Sequence, residues 1–167
     1  MEILFENRCL FNEKWVKAAN KVALFRTPLF LTLHIIFLAF FLFGVIKFLL
    51  FQIIDLIFLF IPVWFYIVIL LRLLVSNKRT IKIKKEMYGE KPEVVSSVTE
   101  ECIEQIHSNG MRNKILYANI IRGYISGDYI FLQSKGNILY SLSRNRFTVG
   151  TEQEFISFLR EKGIKVR

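Results

Sequence analysis

Glu100, Glu101 and Glu104 are the nearest this sequence comes to paired carboxylates, which general acid/base work needs facing one reacting bond. They straddle a predicted turn, so they read as a solvated acidic edge. The other residues able to do chemistry are scarcer. Cys9 and Cys102 stand far apart with no Cys-x-x-Cys, while His34 sits in an apolar run and His107 in a predicted strand. None of these has metal-ligand spacing, and both thiols are expected to stay reduced. A Gly-rich phosphate loop, a Gly-x-Ser-x-Gly elbow and an HExxH helix are missing from the sequence. No catalytic residue, cofactor site or metal site is assigned, and no enzymatic activity is expected.

What remains is charge, and its position is informative. The net charge is +9 with a pI near 9.7, which suits either nucleic acid or an anionic membrane surface. Residues 72–85 alone carry a net +6 from Arg72, Lys78, Arg79, Lys82, Lys84 and Lys85, with no acid among them. Residues 1–26 carry +2, and residues 86–167 only +1. A nucleic-acid reader keeps its cations on the folded face that follows the phosphates. Here they flank an apolar block, so nucleic acid is set aside and anionic lipid head groups are the expected partner of those six residues. A second, scattered set of Arg112, Lys114, Arg122, Arg144 and Arg146 is the candidate contact for a head group or a protein partner.

The apolar block accounts for the high mean hydropathy of +0.40 and many of the 17 phenylalanines. From Thr27 to Ile46 there is no formal charge, and twenty helical residues at about 1.5 Å each reach roughly 30 Å, the thickness of a hydrocarbon core. A second span fits residues 53–75, with Asp55 and Arg72 near the interfaces. One continuous helix would strand Lys47 and Asp55 in mid-membrane, whereas an antiparallel hairpin puts both at its tip. Pro62 frees one carbonyl in the second helix and invites a kink there. Trp64 and Tyr66 read as packing residues. The first run starts late, is long and lacks a small-x-small cleavage site, so it reads as retained rather than removed. Because Lys and Arg crowd both outer flanks, both termini are expected in the cytoplasm, with the basic fence at residues 72–85 stopping the second helix at the plasma membrane surface.

Before the first span, Lys14, Lys17 and Lys21 share one helical stripe and Trp15, Ala19, Val22 and Phe25 another, with Asn12 as N-cap. This predicts a short amphipathic helix lying on the membrane surface. The opening MEILFENRCLF is rich in strand formers, and whether residues 2–11 add a strand to the C-terminal sheet is open. After Pro92 the texture changes to short strands, at 94–98, 102–107, 111–117, 119–125, 129–134 and 138–143. Asn109-Gly110, Ser126-Gly127-Asp128 and Lys135-Gly136-Asn137 supply turns. This predicts an antiparallel meander. Thr151 and Glu154 form a capping box, after which Phe155, Phe158 and Leu159 line one face of a helix that Gly163 ends.

The expected organisation is an N-terminal segment (1–26), a transmembrane hairpin (27–75, with helices at about 27–46 and 53–75), a basic linker (76–92) and a small domain (93–167). The fold class is α+β, with a two-helix transmembrane hairpin and a small antiparallel sheet or barrel-like domain closed by a C-terminal helix. A core of this size is marginal alone, so contact with a protein partner or a second copy is expected.

The layout resembles the YcxB-like bacterial membrane proteins. The residues that carry the likeness are Tyr117 with Ile120, the strand Tyr129 to Leu132, and the corner formed by Arg144 and Phe147. Where that family has a proline ahead of the basic residue, this chain has Ser143. The resemblance implies a C-terminal domain similar to bacterial pleckstrin-homology-like domains, and it implies fold rather than activity. The expected role is a membrane-anchored interaction or scaffold module. The alternative is a small accessory subunit of a transport or stress-resistance assembly.

Overall fold

The computed structural model describes residues 2–26, 28–52, 56–136 and 138–167. The expected positions of Thr27, Ile53, Asp55 and Asn137 lie outside the described residues. The protein is α+β, and its elements in order are β1 (Phe5–Leu10), α1 (Glu13–Phe25), α2 (Pro28–Phe51), α3 (Leu56–Tyr88), β2 (Glu93–Val98), β3 (Cys102–His107), β4 (Arg112–Leu116), β5 (Ile120–Ser126), β6 (Tyr129–Ser134), β7 (Leu139–Ser143), β8 (Phe147–Val149) and α4 (Glu152–Glu161). They divide into two compact units. One is Ala23–Lys78, and the other combines Met1–Val22 with Arg79–Arg167.

In the first unit α2 and α3 run antiparallel. The sense follows from their ring contacts: Phe37 meets Phe65 at 3.9 Å, and Phe40 and Phe43 both meet Phe58 at 5.5 and 5.2 Å. His34 joins the helices by polar contacts. Its Nε2 donates to the Leu24 carbonyl at 3.1 Å, which fixes Nδ1 as the acceptor for the Tyr66 hydroxyl at 3.2 Å. Tyr66 is thus a packing residue as expected, but Trp64 is 65% exposed. Both helices outrun the expected spans. α2 includes Lys47, and α3 continues through the basic fence to Tyr88, because Lys and Arg are good helix formers and a cation ends a hydrophobic run without ending a helix. The stop comes at Gly89, whose φ of +88° suits glycine and whose N–H caps the Lys85 carbonyl at 2.9 Å.

In the second unit the predicted strands are present within a residue or two, but they do not form one meander, nor do they close a barrel. They make a five-stranded sheet, β4-β3-β2-β1-β8, and a three-stranded sheet, β5-β6-β7. The chain changes sheets at the short 3-10 turn Tyr117–Asn119, pinned by the Tyr117 hydroxyl donating to the Thr99 carbonyl at 2.6 Å. β1 lies inside the larger sheet, antiparallel to β2 from Phe5↔Val98 to Leu10↔Glu93, with β8 on its other side.

The inner face of the five-stranded sheet carries a polar row in register, Asn7, Ser96, Gln105 and Asn113. Its purpose is to receive the outer edge of β7, which pairs only with β6. The Asn7 amide accepts from the Ser143 N–H at 2.8 Å and donates to the Ser143 carbonyl at 2.6 Å, as a neighbouring strand would. Gln105 donates to the Ser141 carbonyl at 3.3 Å and to the Ser96 hydroxyl at 2.9 Å. Buried edge groups are thereby satisfied.

Two apolar clusters flank this row. In one, Phe5, Val98, Ile103, Ile130, Leu132 and Leu142 meet Phe155 and Leu159 of α4. In the other, Cys9, Val94, Tyr124 and Phe131 meet Phe11, the α1 residues Trp15, Val16 and Val22, and Tyr88 of α3. β6 feeds alternate side chains to both, which is why all six of its residues are buried and its sequence lacks a polar face. α4 carries the predicted capping box, with Thr151 accepting from the Glu154 N–H and Glu154 accepting from that of Thr151. The last residues fold back along β5. Gly123 donates to the Lys165 carbonyl, and a Cβ there would stand 3.0 Å from Val166 and 3.3 Å from Leu132, so a larger residue would require those side chains to shift.

Asn7→Ala leaves the buried Ser143 N–H unpaired and its carbonyl with only the Arg146 N–H at 3.3 Å. At about 1–3 kcal/mol for one unsatisfied buried group, denaturant titration is expected to find the domain less stable by about 1–3 kcal/mol. A loss below the error of the titration would remove Asn7 from this role.

Candidate functional site

The C-terminal turns of α3 turn Ile81, Lys84 and Tyr88 inward at the helical spacing i, i+3, i+7. A lysine therefore occupies a position where the period calls for an apolar side chain. Three rings from two other segments and its own helix receive it. The Lys84 ammonium stands 4.4 Å from the centre of Phe11, 4.8 Å from Tyr88 and 5.6 Å from Trp15. All are within the roughly 6 Å over which a ring face attracts a cation. Phe11 and Trp15 meet edge to face at 4.6 Å and 74°, which gives the box two walls at different inclinations.

His107 backs the box, stacked on Tyr88 at 4.6 Å and 15°. Asn113 Nδ2 lies 2.9 Å from His107 Nε2 and can only donate, so the imidazole is neutral with its proton on Nδ1. Burial, then the nearby Lys84 charge, holds its pKa below the ordinary value of 6.5. The β3–β4 turn completes the clamp. The Ser108 hydroxyl donates to the Tyr88 carbonyl, and Asn109 Nδ2 donates to that of Met87 at 3.1 Å, capping the end of α3.

The remaining residues of the basic fence, Arg72, Lys78, Arg79, Lys82 and Lys85, are exposed, and Lys82 has Glu86 at 3.9 Å. Lys84 departs from them by turning inward. The predicted amphipathic helix exists as α1, capped by Asn12, whose Oδ1 accepts from the Trp15 N–H at 3.0 Å. Trp15, Val16 and Val22 of this helix pack into the protein core, while Phe25 is 51% exposed and Lys14, Lys17 and Lys21 lie on the outside.

The scattered second set does not converge. Arg112 and Lys114 lie on β4, at one edge of the five-stranded sheet, and Lys114 faces Glu104 at 3.9 Å. Arg146 leads into β8 at the opposite edge, four strand spacings or about 19 Å away. Arg122 belongs to the other sheet. Arg144 is a structural brace, its Nε 2.6 Å from Glu152 and its Nη1 donating to the Gly127 carbonyl at 3.2 Å. No single small head group reaches them all.

The carboxylates first singled out also face apart. Glu100 pairs with Lys162 at 2.6 Å, while Glu104, on β3, faces Lys114 of β4 at 3.9 Å. Cys9 is fully buried, and burial pushes its thiol up to about 12, so it is a packing group. Among the described residues no three His, Cys, Asp or Glu side chains come together as a cation site. Reading the sequence did not find the box of Phe11, Trp15, Tyr88 and His107. The one available signal was TIKIKKEMY (Thr80 to Tyr88), where Lys84 stands on the Ile81–Tyr88 stripe. Compared with known proteins, the chain matches no family model, no curated protein and no solved structure.

The unfolded chain takes up the proton first, so the stability that neutral His107 contributes is complete above about pH 6.5 and falls as pH drops through that value toward the lower folded pKa. Thermal unfolding followed from pH 7.5 to 5 is expected to show a loss that His107→Gln flattens. Parallel curves for the two proteins would refute it.

Proposed function

We propose that this chain is an integral membrane protein whose α2 and α3 cross the bilayer as a hairpin, presenting the β-rich unit in the cytoplasm as an interaction or scaffold module. The observation that carries this is a pair of antiparallel helices long and apolar enough to cross a membrane, with their large side chains turned outward. Leu49 and Leu50 are each 70% exposed, a surface that water penalises and hydrocarbon welcomes. Strand β1 supports the topology. It precedes both apolar helices yet pairs with strands that follow them, so the chain must cross an even number of times. The positive flanks then favour the cytoplasm for that shared unit and leave Lys47 near the far side.

Within this reading the exposed Lys14, Lys17 and Lys21 of α1 join Arg79, Lys82 and Lys85 of α3 as the surface for anionic head groups, at about 1 kcal/mol per cation near the bilayer. The resemblance to YcxB-like proteins with a pleckstrin-homology-like domain belongs to the same proposal. It is supported by two packed antiparallel sheets ending in a helix. The accessory-subunit reading has one observation in its favour. Phe37, Phe60, Ile61, Trp64, Phe65 and Val68 line an open, wholly apolar groove of about 470 Å³, shaped to receive another membrane helix.

Two single cysteines test the topology in intact cells, because Cys9 and Cys102 are both buried. An impermeant maleimide added outside is expected to label Leu50→Cys and to leave Glu161→Cys untouched until the cells are opened. The reverse pattern, or a protein that stays in solution without detergent, overturns the proposal. A separate measurement addresses the head groups. Replacing Lys14, Lys17, Lys21, Lys82 and Lys85 by Gln is expected to abolish the thermal stabilisation that phosphatidylglycerol gives the purified protein over a neutral lipid. An unchanged stabilisation rules that surface out.

A further inference from the structure

The Lys84 ammonium sits among rings that give it no hydrogen bond. Its three N–H donors are strongly hydrated in water, and among the described residues no carboxylate lies within ion-pair distance of it. A primary ammonium is therefore a poor occupant of this box. It gains the attraction of three ring faces but forfeits part of its hydration. A fully alkylated ammonium gains the same attraction and has no N–H to forfeit, so the box favours it on chemical grounds. Lys84 holds its place because the helix delivers it there at high effective concentration.

The surroundings add a second feature. Trp15 Nε1 and His107 Nδ1 are buried in the same cluster without a hydrogen-bond partner, and each is a donor. Buried donors are seldom left unanswered. A ligand that carries an oxygen acceptor as well as an ammonium offers a partner to donors of this kind.

We propose that Phe11, Trp15 and Tyr88, backed by His107, form a binding site for an alkylated ammonium of the choline type, kept shut by the chain's own Lys84. Binding displaces Lys84 and releases the inward stripe of α3 from α1 and the β3–β4 turn. The source of the ligand is a free solute or a lipid head group, and the two share this chemistry. The inference stands on one unit alone, so its failure and the failure of the membrane reading are separate events.

The test uses the full-length protein in maltoside micelles. Trp15 and Trp64 are the two tryptophans, so in a Trp64→Phe background the emission reports on the box. With Lys84→Ala added, choline chloride is expected to change that emission saturably. 3,3-Dimethylbutan-1-ol, its neutral carbon counterpart, should have no such effect. With Lys84 present the choline midpoint should be at least about tenfold higher, the competition expected from a tethered occupant. No saturable response in folded Lys84→Ala, an equal response to the neutral alcohol, or the same midpoint with and without Lys84 each overturns the proposal. If Lys84→Ala does not fold, recovery of its circular dichroism with choline but not with the alcohol supports the site, and recovery with neither overturns it. Nanodiscs separate the sources. The same emission change in phosphatidylcholine but not phosphatidylglycerol assigns a head group, and a change with dissolved choline only assigns a solute.

Discussion

The backbone pairing of β1 with β2 on one side and β8 on the other ties the first ten residues to strands that lie, in sequence, beyond both apolar helices. Much of the β-rich unit depends on this closure. Without β1 the five-stranded sheet loses its join between β2 and β8. The polar row loses Asn7, and both apolar clusters lose a wall, Phe5 from one and Cys9 from the other. A piece beginning after the apolar block lacks an interior strand of its own sheet, and the compact unit joins residues 1–22 to residues 79–167.

The interior is built on a compromise between edge and core. A three-stranded sheet packed against a larger one must bury the edge of β7, and burying bare backbone groups is costly. The sequence answers with amide side chains aimed at that edge from the facing sheet. The result is a core cut in two by a polar layer, with α4 covering one apolar half and α1 the other. The polar row also fixes register. A slip of β1 by one residue would turn Asn7 outward and leave Ser143 facing an apolar side chain.

Lys84 illustrates how one residue type takes two roles within a few positions. Lys82 and Lys85 project into solvent, and Lys84, between them, is enclosed by rings. Nothing in the residue type separates these fates. The helical period does, once it is known that α3 persists past the fence and that α1 lies against its last turns.

The sequence alone was sufficient for features that arise between neighbours along the chain. The two apolar runs, the Asn12 cap, the Thr151–Glu154 capping box and the positions of six strands rest on hydrophobic period, turn chemistry and side chains reaching a few residues away. Tertiary structure decided the features that depend on surfaces brought together from far apart. Among these are the insertion of β1, the division of the strands into two sheets, the short β8, and the continuation of α3 through six cations. It also decided the fates of charged groups that sequence treated alike, sending Lys84 into an aromatic box, Arg144 onto Glu152, and Arg112 and Arg146 to opposite edges of one sheet. The physical reason is that a local pattern states which side of an element is apolar, while only packing states what that side meets. A cation on a helix is equally soluble on every face until a partner surface covers one of them.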